Sequence, residues 1–83
     1  MTIVDAYKVV KALPDRNFLI NCIDAPEYWA FLFHYEVIEP DDYLVGGCYD
    51  AVCKKTGDIT HVAIPYDMYL LEGGYNIDIS MFF

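Results

Sequence analysis

The sequence predicts an α+β fold for this chain of 83 residues, in which an N-terminal helix packs on an antiparallel sheet of about four strands. Two observations support this prediction. Apolar residues recur at spacings of three and four near the N-terminus, and β-favourable runs separated by Gly and Pro turns fill the middle of the chain. The pattern also allows a short helix near the C-terminus. At this length we expect a single domain spanning residues 1–83.

The N-terminal helix is predicted from its cap and its apolar face. Thr2 and Asp5 have the spacing of a capping box, and Pro14 marks the end of the helix. The face predicted to pack on the sheet contains Ile3, Tyr7, Val10 and Leu13. Two lysines fall on the opposite side, so we expect an amphipathic helix of about three turns.

The β-favourable runs that follow the helix lie at residues 17–23, 28–38, 43–45, 48–53 and 58–64. A bulge or sharp bend at Gly46-Gly47 is expected between 43–45 and 48–53, which gives about four strands. In the first run, simple alternation places Phe18, Ile20 and Cys22 on one face of the sheet and Leu19 and Ile23 on the other. The second run is apolar on both faces, which is typical of a central strand. It is therefore predicted to lie under the helix, with aromatic rings shielding its other face.

The clearest local signal is the turn at residues 54–57, which joins two of these runs into a hairpin. Gly57 is expected to have a positive φ, because glycine reaches that conformation at the lowest cost. Further on, residues 66–72 predict one or two helical turns that end at Gly73 and Gly74. Residues 77–83 alternate with a period of two, which indicates a last strand or an extended tail.

Charge limits the classes of partner. The formal net charge is -8, and no Lys or Arg occurs between residues 17 and 53. Direct binding of nucleic acid is therefore not expected, because phosphate neutralisation needs clustered basic side chains. A basic protein is the better candidate partner. The chain has neither an apolar run of about 18 residues nor a signal-peptide pattern, so we expect a cytoplasmic protein that does not enter a membrane.

Cysteine and histidine could in principle support other functions. Cys22, Cys48 and Cys53 contain no C-x-x-C pair, and we expect three buried, reduced thiols. A zinc site using these cysteines with His61 has no recognised ligand spacing. A cysteine nucleophile paired with His34 or His61 lacks a motif. No cofactor motif is present, and Gly46-Gly47 and Gly73-Gly74 lack the context of a phosphate-binding loop.

The candidate partner-binding site is an acidic stretch that begins near the end of the predicted central strand and continues through the loop after it. Spaced carboxylates there could steer association with a basic protein, or could simply solvate a loop. The residues assigned to this site are Glu36, Glu39, Asp41, Asp42, Tyr43 and Asp50. Tyr28, Tyr43 and Tyr49 are candidate aromatic anchors beside it, and a fully buried role for these tyrosines is an equally open alternative.

Residues 28–64 carry a family resemblance. A Trp-containing strand at 28–33, an acidic turn with a proline, and a hairpin reading Val52-Cys53-Lys54-Lys55-Thr56-Gly57-Asp58-Ile59 follow one another. This arrangement resembles small bacterial immunity proteins of polymorphic toxin systems, notably the YrhB-like group. The resemblance implies a cytoplasmic protein that binds and blocks one cognate toxin, often an enzyme acting on nucleic acid. The turn residues are interpreted as structural.

Together these observations predict a non-enzymatic inhibitor that covers a basic active site with an acidic and aromatic surface. The first alternative is a phage-type protein, such as an anti-restriction or anti-CRISPR inhibitor, that mimics the charge of DNA. A small enzyme, a metal-binding domain and a structural module are further alternatives. Exposed strand edges would also allow a homodimer.

Overall fold

The computed structural model describes residues 1–34, without the side chain of His34, and residues 48–83. In these two ranges the chain forms one α-helix, five strands and two short 3-10 helices, which confirms the predicted α+β fold. The elements are α1 (Ile3–Lys11), β1 (Phe18–Asp24), β2 (Tyr28–His34), β3 (Cys48–Cys53), β4 (Ile59–Ala63), η1 (Met68–Leu71), β5 (Tyr75–Asn76) and η2 (Ile79–Phe82). The strands form one antiparallel sheet in the order β4-β3-β2-β1-β5.

The capping box predicted for α1 is present. The Thr2 hydroxyl accepts a hydrogen bond from the Asp5 backbone N–H at 3.2 Å, and the Asp5 carboxylate accepts one from the Thr2 N–H at 3.0 Å. Ala6 and Val10 are fully buried against the sheet. The spacing of these residues therefore fixes which face of α1 packs inward, as expected.

The alternation predicted for β1 is wrong, because the strand contains a bulge. Leu19 pairs with Phe33 and Asn21 pairs with Leu32, which leaves Ile20 as an extra residue in the ladder. The insertion reverses the alternation within the strand. Leu19 and Cys22 consequently share the face under α1, whereas Ile20 packs into the cluster on the opposite face.

The central position of β2 is confirmed, and it divides the core into two layers. Phe31 is fully buried in the layer beneath α1, and Ala30 and Leu32 are buried in the layer on the other face. The second layer is closed by Leu71 from η1, together with Tyr49 from β3. Residues of η1 therefore cover this face of the sheet, in addition to the aromatic rings that the sequence predicted there.

The β3–β4 hairpin matches its prediction. Gly57 has a φ of 80°, and its N–H donates to the Cys53 carbonyl at 2.8 Å. The adjoining Asp58 carbonyl accepts from the Cys53 N–H at 2.8 Å, which closes the turn. Val52 and Ile59 are the first cross-strand partners beyond it.

The C-terminal region differs in part from the prediction. The expected helical turns are present as η1, but the last strand is only Tyr75–Asn76, and residues 79–82 form a 3-10 helix. Asp78 favours this turn because its carboxylate accepts a hydrogen bond from the Ser80 N–H at 3.0 Å. The turn brings the Phe82 ring onto Tyr7 of α1, with ring centroids 4.7 Å apart.

Two predictions concern residues that the structure does not describe, namely the strand at 43–45 and the bend at Gly46-Gly47. Among the described residues, no helix has the length and apolar character needed to cross a bilayer.

Candidate functional site

The predicted partner-binding residues fall into two groups. Glu36, Glu39, Asp41, Asp42 and Tyr43 lie outside the described residues, so their assignment stays a prediction. Asp50 is described, and only 3% of its surface is exposed. Its carboxylate is therefore buried in the fold and does not form part of an exposed acidic surface.

Asp50 is the centre of an ion-pair cluster with Arg16 and His61. The Arg16 guanidinium donates from Nε to Asp50 Oδ2 at 2.9 Å and from Nη2 to Oδ1 at 3.0 Å. His61 Nδ1 lies 2.9 Å from the same Oδ1. The cluster thus satisfies a buried carboxylate with one bidentate and one single contact.

Three elements assemble this cluster. Asp50 and His61 are direct cross-strand partners on β3 and β4, and Arg16 arrives from the loop that follows α1. The Pro14 carbonyl accepts a further hydrogen bond from Arg16 Nη1 at 2.6 Å, which fixes the guanidinium. The contact with Asp50 raises the pKa of Arg16, so the guanidinium stays charged.

The contact between Asp50 and His61 also resembles part of a nucleophilic catalytic site, in which a carboxylate orients a histidine that acts as the base. The side chain of His61 is 63% exposed, which leaves its Nε2 edge on the solvent side. Cys48 precedes Asp50 by two residues on the same strand face, but partial desolvation and the Asp50 charge raise the pKa of its thiol. Cys48 is therefore held protonated, and the geometry favours a structural role for the cluster.

The three cysteines have different environments, and the expectation of three buried thiols is confirmed only for Cys22, because Cys48 is exposed and Cys53 is only partly buried. Cys22 is fully buried, and burial raises its pKa to about 12. The pKa of Cys53 is lowered by hydrogen bonds from the Thr56 hydroxyl and from the backbone of Thr56 and Lys55. Across residues 1–34 and 48–83, no group of three or more His, Cys, Asp or Glu side chains is placed to hold a metal ion.

A second surface lies on the face of the sheet opposite α1, around η1. It combines exposed aromatic rings with free carboxylates, and we call it the tyrosine face. Its residues are Tyr66, Tyr69, Glu27 and Glu72. Tyr66 is 83% exposed and Tyr69 is 69% exposed. Aromatic rings so open to solvent are more typical of an interface than of the rest of a protein surface.

The sequence explains why the segment around η1 carries no positive charge. Residues 62–83 contain no Lys, Arg or His, and the five basic residues of the chain lie in α1, in the loop after it, and in the β3–β4 turn. Leu71 of η1 is buried in the core, which anchors the segment that presents Tyr69. The tyrosine face is therefore held on the fold by an apolar contact, and Lys54 and Lys55 approach it only on the side of Glu27, where they line a neighbouring pocket.

Between the β1–β2 turn and η1, the tyrosine face contains a cleft of about 300 Å³. Its lining comprises Pro26, Glu27, Tyr28, Tyr69, Leu70 and Glu72. Glu27 and Glu72 are exposed, and among the described residues neither carboxylate has a hydrogen-bond or ion-pair partner. The cleft thus combines aromatic and apolar walls with two free negative charges.

The sequence prediction placed the aromatic anchors elsewhere. Tyr49 is 6% exposed, and its hydroxyl accepts a hydrogen bond from Asn21 Nδ2 at 2.8 Å, so the buried alternative holds for it. Tyr28 is half-buried in the cleft wall. The sequence prediction did not select Tyr66 and Tyr69 as anchors. Their three-residue spacing, beside Asp67 and Glu72 in a segment without basic residues, could have indicated them.

Comparison of the chain with protein-family models, with curated proteins and with solved structures finds no match.

Proposed function

We propose that this protein is a non-enzymatic inhibitor, of the immunity-protein kind, which binds a basic surface of a toxin enzyme and blocks it. The tyrosine face is the observation that supports the proposal. Two exposed tyrosines, Tyr66 and Tyr69, stand among carboxylates on a segment that has no basic residue. Tyrosine anchors supply much of the affinity of protein interfaces, and a surface with an excess of negative charge favours a positively charged partner.

The net charge of the chain supports the same function. A formal charge of -8 on 83 residues attracts a basic partner over the range of the Debye length and raises the association rate. Binding should therefore weaken with salt mainly through slower association. The resemblance of residues 28–64 to immunity proteins adds a class of partner, namely a toxin whose substrate is itself negatively charged.

The first experiment uses the product of the gene that adjoins this one, because immunity proteins are expected beside their toxins. That product is expressed alone and together with this protein. The expected result is growth arrest with the product alone, growth with both, and a complex that co-elutes in gel filtration. A product that is harmless, or whose toxicity this protein does not relieve, overturns the proposal.

A second experiment assigns the binding to the tyrosine face. The double variant Tyr66→Ala with Tyr69→Ala is expected to weaken the complex by at least tenfold, since interface tyrosines often contribute about 2 kcal/mol or more. Phe83→Ala is the matched control, because Phe83 is an equally exposed aromatic residue, at 80%, outside this face. Equal weakening by both variants would argue against the tyrosine face as the interface.

A further inference from the structure

The cleft in the tyrosine face has the shape and charge of a receptor for one cationic side chain. Its volume of about 300 Å³ lies at the lower end for ligand pockets, which suits a single side chain better than a larger ligand. The carboxylates of Glu27 and Glu72 border it from two different segments, the β1–β2 turn and the end of η1. Two separated carboxylates can both accept hydrogen bonds from one donor-rich group placed between them.

The walls of the cleft distinguish between cations. Tyr28 and Tyr69 present aromatic rings, and Pro26 and Leu70 add apolar surface. A guanidinium group is planar, carries five donors and is weakly hydrated, so it can stack on a ring while it bonds to carboxylates on either side. An ammonium group is a compact and strongly hydrated charge that gains less from such walls.

No described cation of this chain already fills the cleft. Lys54 is paired with Asp24 at 2.5 Å and lies over the Trp29 ring at 5.3 Å from its centroid. Lys55 lines the neighbouring pocket, which it shares with Glu27. Its charge competes modestly for that carboxylate, because an exposed ammonium group is well solvated.

We infer that the cleft between Glu27 and Glu72 receives an arginine side chain of the basic partner. The inference rests on the proposed function for the identity of the partner, but the recognition of a guanidinium group can be tested without it. The tyrosine face then has a pocket for one arginine, and Tyr28 and Tyr69 in its walls help to exclude water from the contact.

The test compares two synthetic peptides of equal length and charge, nona-arginine and nona-lysine, in titrations followed by backbone amide NMR. The arginine peptide is expected to shift the amide signals of Tyr69 and Leu70 saturably, and to bind at least fivefold more tightly than the lysine peptide. Glu27→Gln with Glu72→Gln should reduce arginine-peptide affinity by at least tenfold.

The matched control is Asp58→Asn with Asp78→Asn, which removes the same charge from exposed sites outside the cleft. This control should retain most of the affinity. Equal affinity for the two peptides, equal loss in both double variants, or shifts that do not include Tyr69 and Leu70 would each overturn the inference. Each of these failures leaves the proposed inhibitor function standing, since that function is tested by toxin neutralisation.

Discussion

The Arg16 guanidinium donates two hydrogen bonds to the buried Asp50 carboxylate, at 2.9 and 3.0 Å, and so links the loop after α1 to the middle of β3. The two residues are 34 positions apart in the chain. The Asp50 side chain is 4% exposed and the Arg16 side chain 25% exposed, so the pair is partly shielded from solvent. A shielded pair of this kind matters most when one partner is removed: without Arg16, the Asp50 carboxylate loses its bidentate partner and keeps only the contact with His61.

Arg16→Met should therefore destabilise the protein, by about 3 kcal/mol on the scale of broken buried pairs. The double variant with Asp50→Leu should be more stable than Arg16→Met alone, because both charges leave together. Urea unfolding of the two single variants and the double variant measures the coupling. Lys8→Met at an exposed helix position is the control and should change stability by less than about 0.5 kcal/mol. Strict additivity of the two single changes would contradict a direct coupling.

Much of the fold could be predicted because its signals are local. The capping box of α1 and the positive φ of Gly57 each depend on residues within a few positions of one another. The bulge at Ile20 accompanies the packing of Leu19 and Cys22 under α1, and the 3-10 turn at residues 79–82, although capped locally by Asp78, also packs Phe82 against Tyr7. Alternation in the sequence carries no sign of such contacts, and this is why both strand assignments needed correction.

The candidate site was less accessible to sequence reasoning for a related reason. A run of carboxylates reports charge but not burial, and Asp50 shows the difference, since its oxygens are taken by Arg16 and His61. The cleft joins Glu27 to Glu72, 45 positions later in the chain, through the packing of η1 on the sheet. Only the folded arrangement brings these two carboxylates to one cavity.

The capping box of α1 predicts a pH-dependent contribution to stability. Contacts of the Asp5 carboxylate with the Thr2 N–H and with the Thr2 hydroxyl lower the pKa of Asp5 from its ordinary value of 3.8. Because the folded pKa is the lower one, the stabilisation is complete above about pH 3.8 and is lost as the pH falls through the folded pKa. Asp5→Ala should thus be less stable than the parent protein at pH 7, with a difference that shrinks in acid.

Urea midpoints measured from pH 7 to pH 2.5 check this prediction. Asp58→Ala removes an exposed carboxylate outside the helix and serves as the control. A difference between Asp5→Ala and the parent that stays constant across this range would show that the box does not depend on the ionised carboxylate.

Gly57 provides a conformational prediction. Gly57→Ala should destabilise the protein by about 1 to 2 kcal/mol, which is the cost of a left-handed conformation for a residue with a Cβ. Steric contact contributes little, because the nearest atom to an added Cβ would be the flexible Met1 Cε at 3.4 Å. Gly57→Asn is the matched variant and should cost less, since asparagine tolerates this region. Equal losses in the two variants, measured by urea unfolding, would point to crowding at the turn as the cause.

The three thiols should react with iodoacetamide in an order set by their environments. Cys53 should react fastest at pH 7.5, because hydrogen bonds from the Thr56 hydroxyl and from the Thr56 and Lys55 backbone lower its pKa and so increase its thiolate fraction. Cys48 is exposed but has a raised pKa, and Cys22 is buried with a pKa of about 12. Mass spectrometry of digested samples gives the rate at each position. Thr56→Val should slow alkylation of Cys53 and leave Cys48 unchanged as the internal control. Faster labelling of Cys48 than of Cys53 would mean that exposure outweighs thiolate stabilisation at this turn.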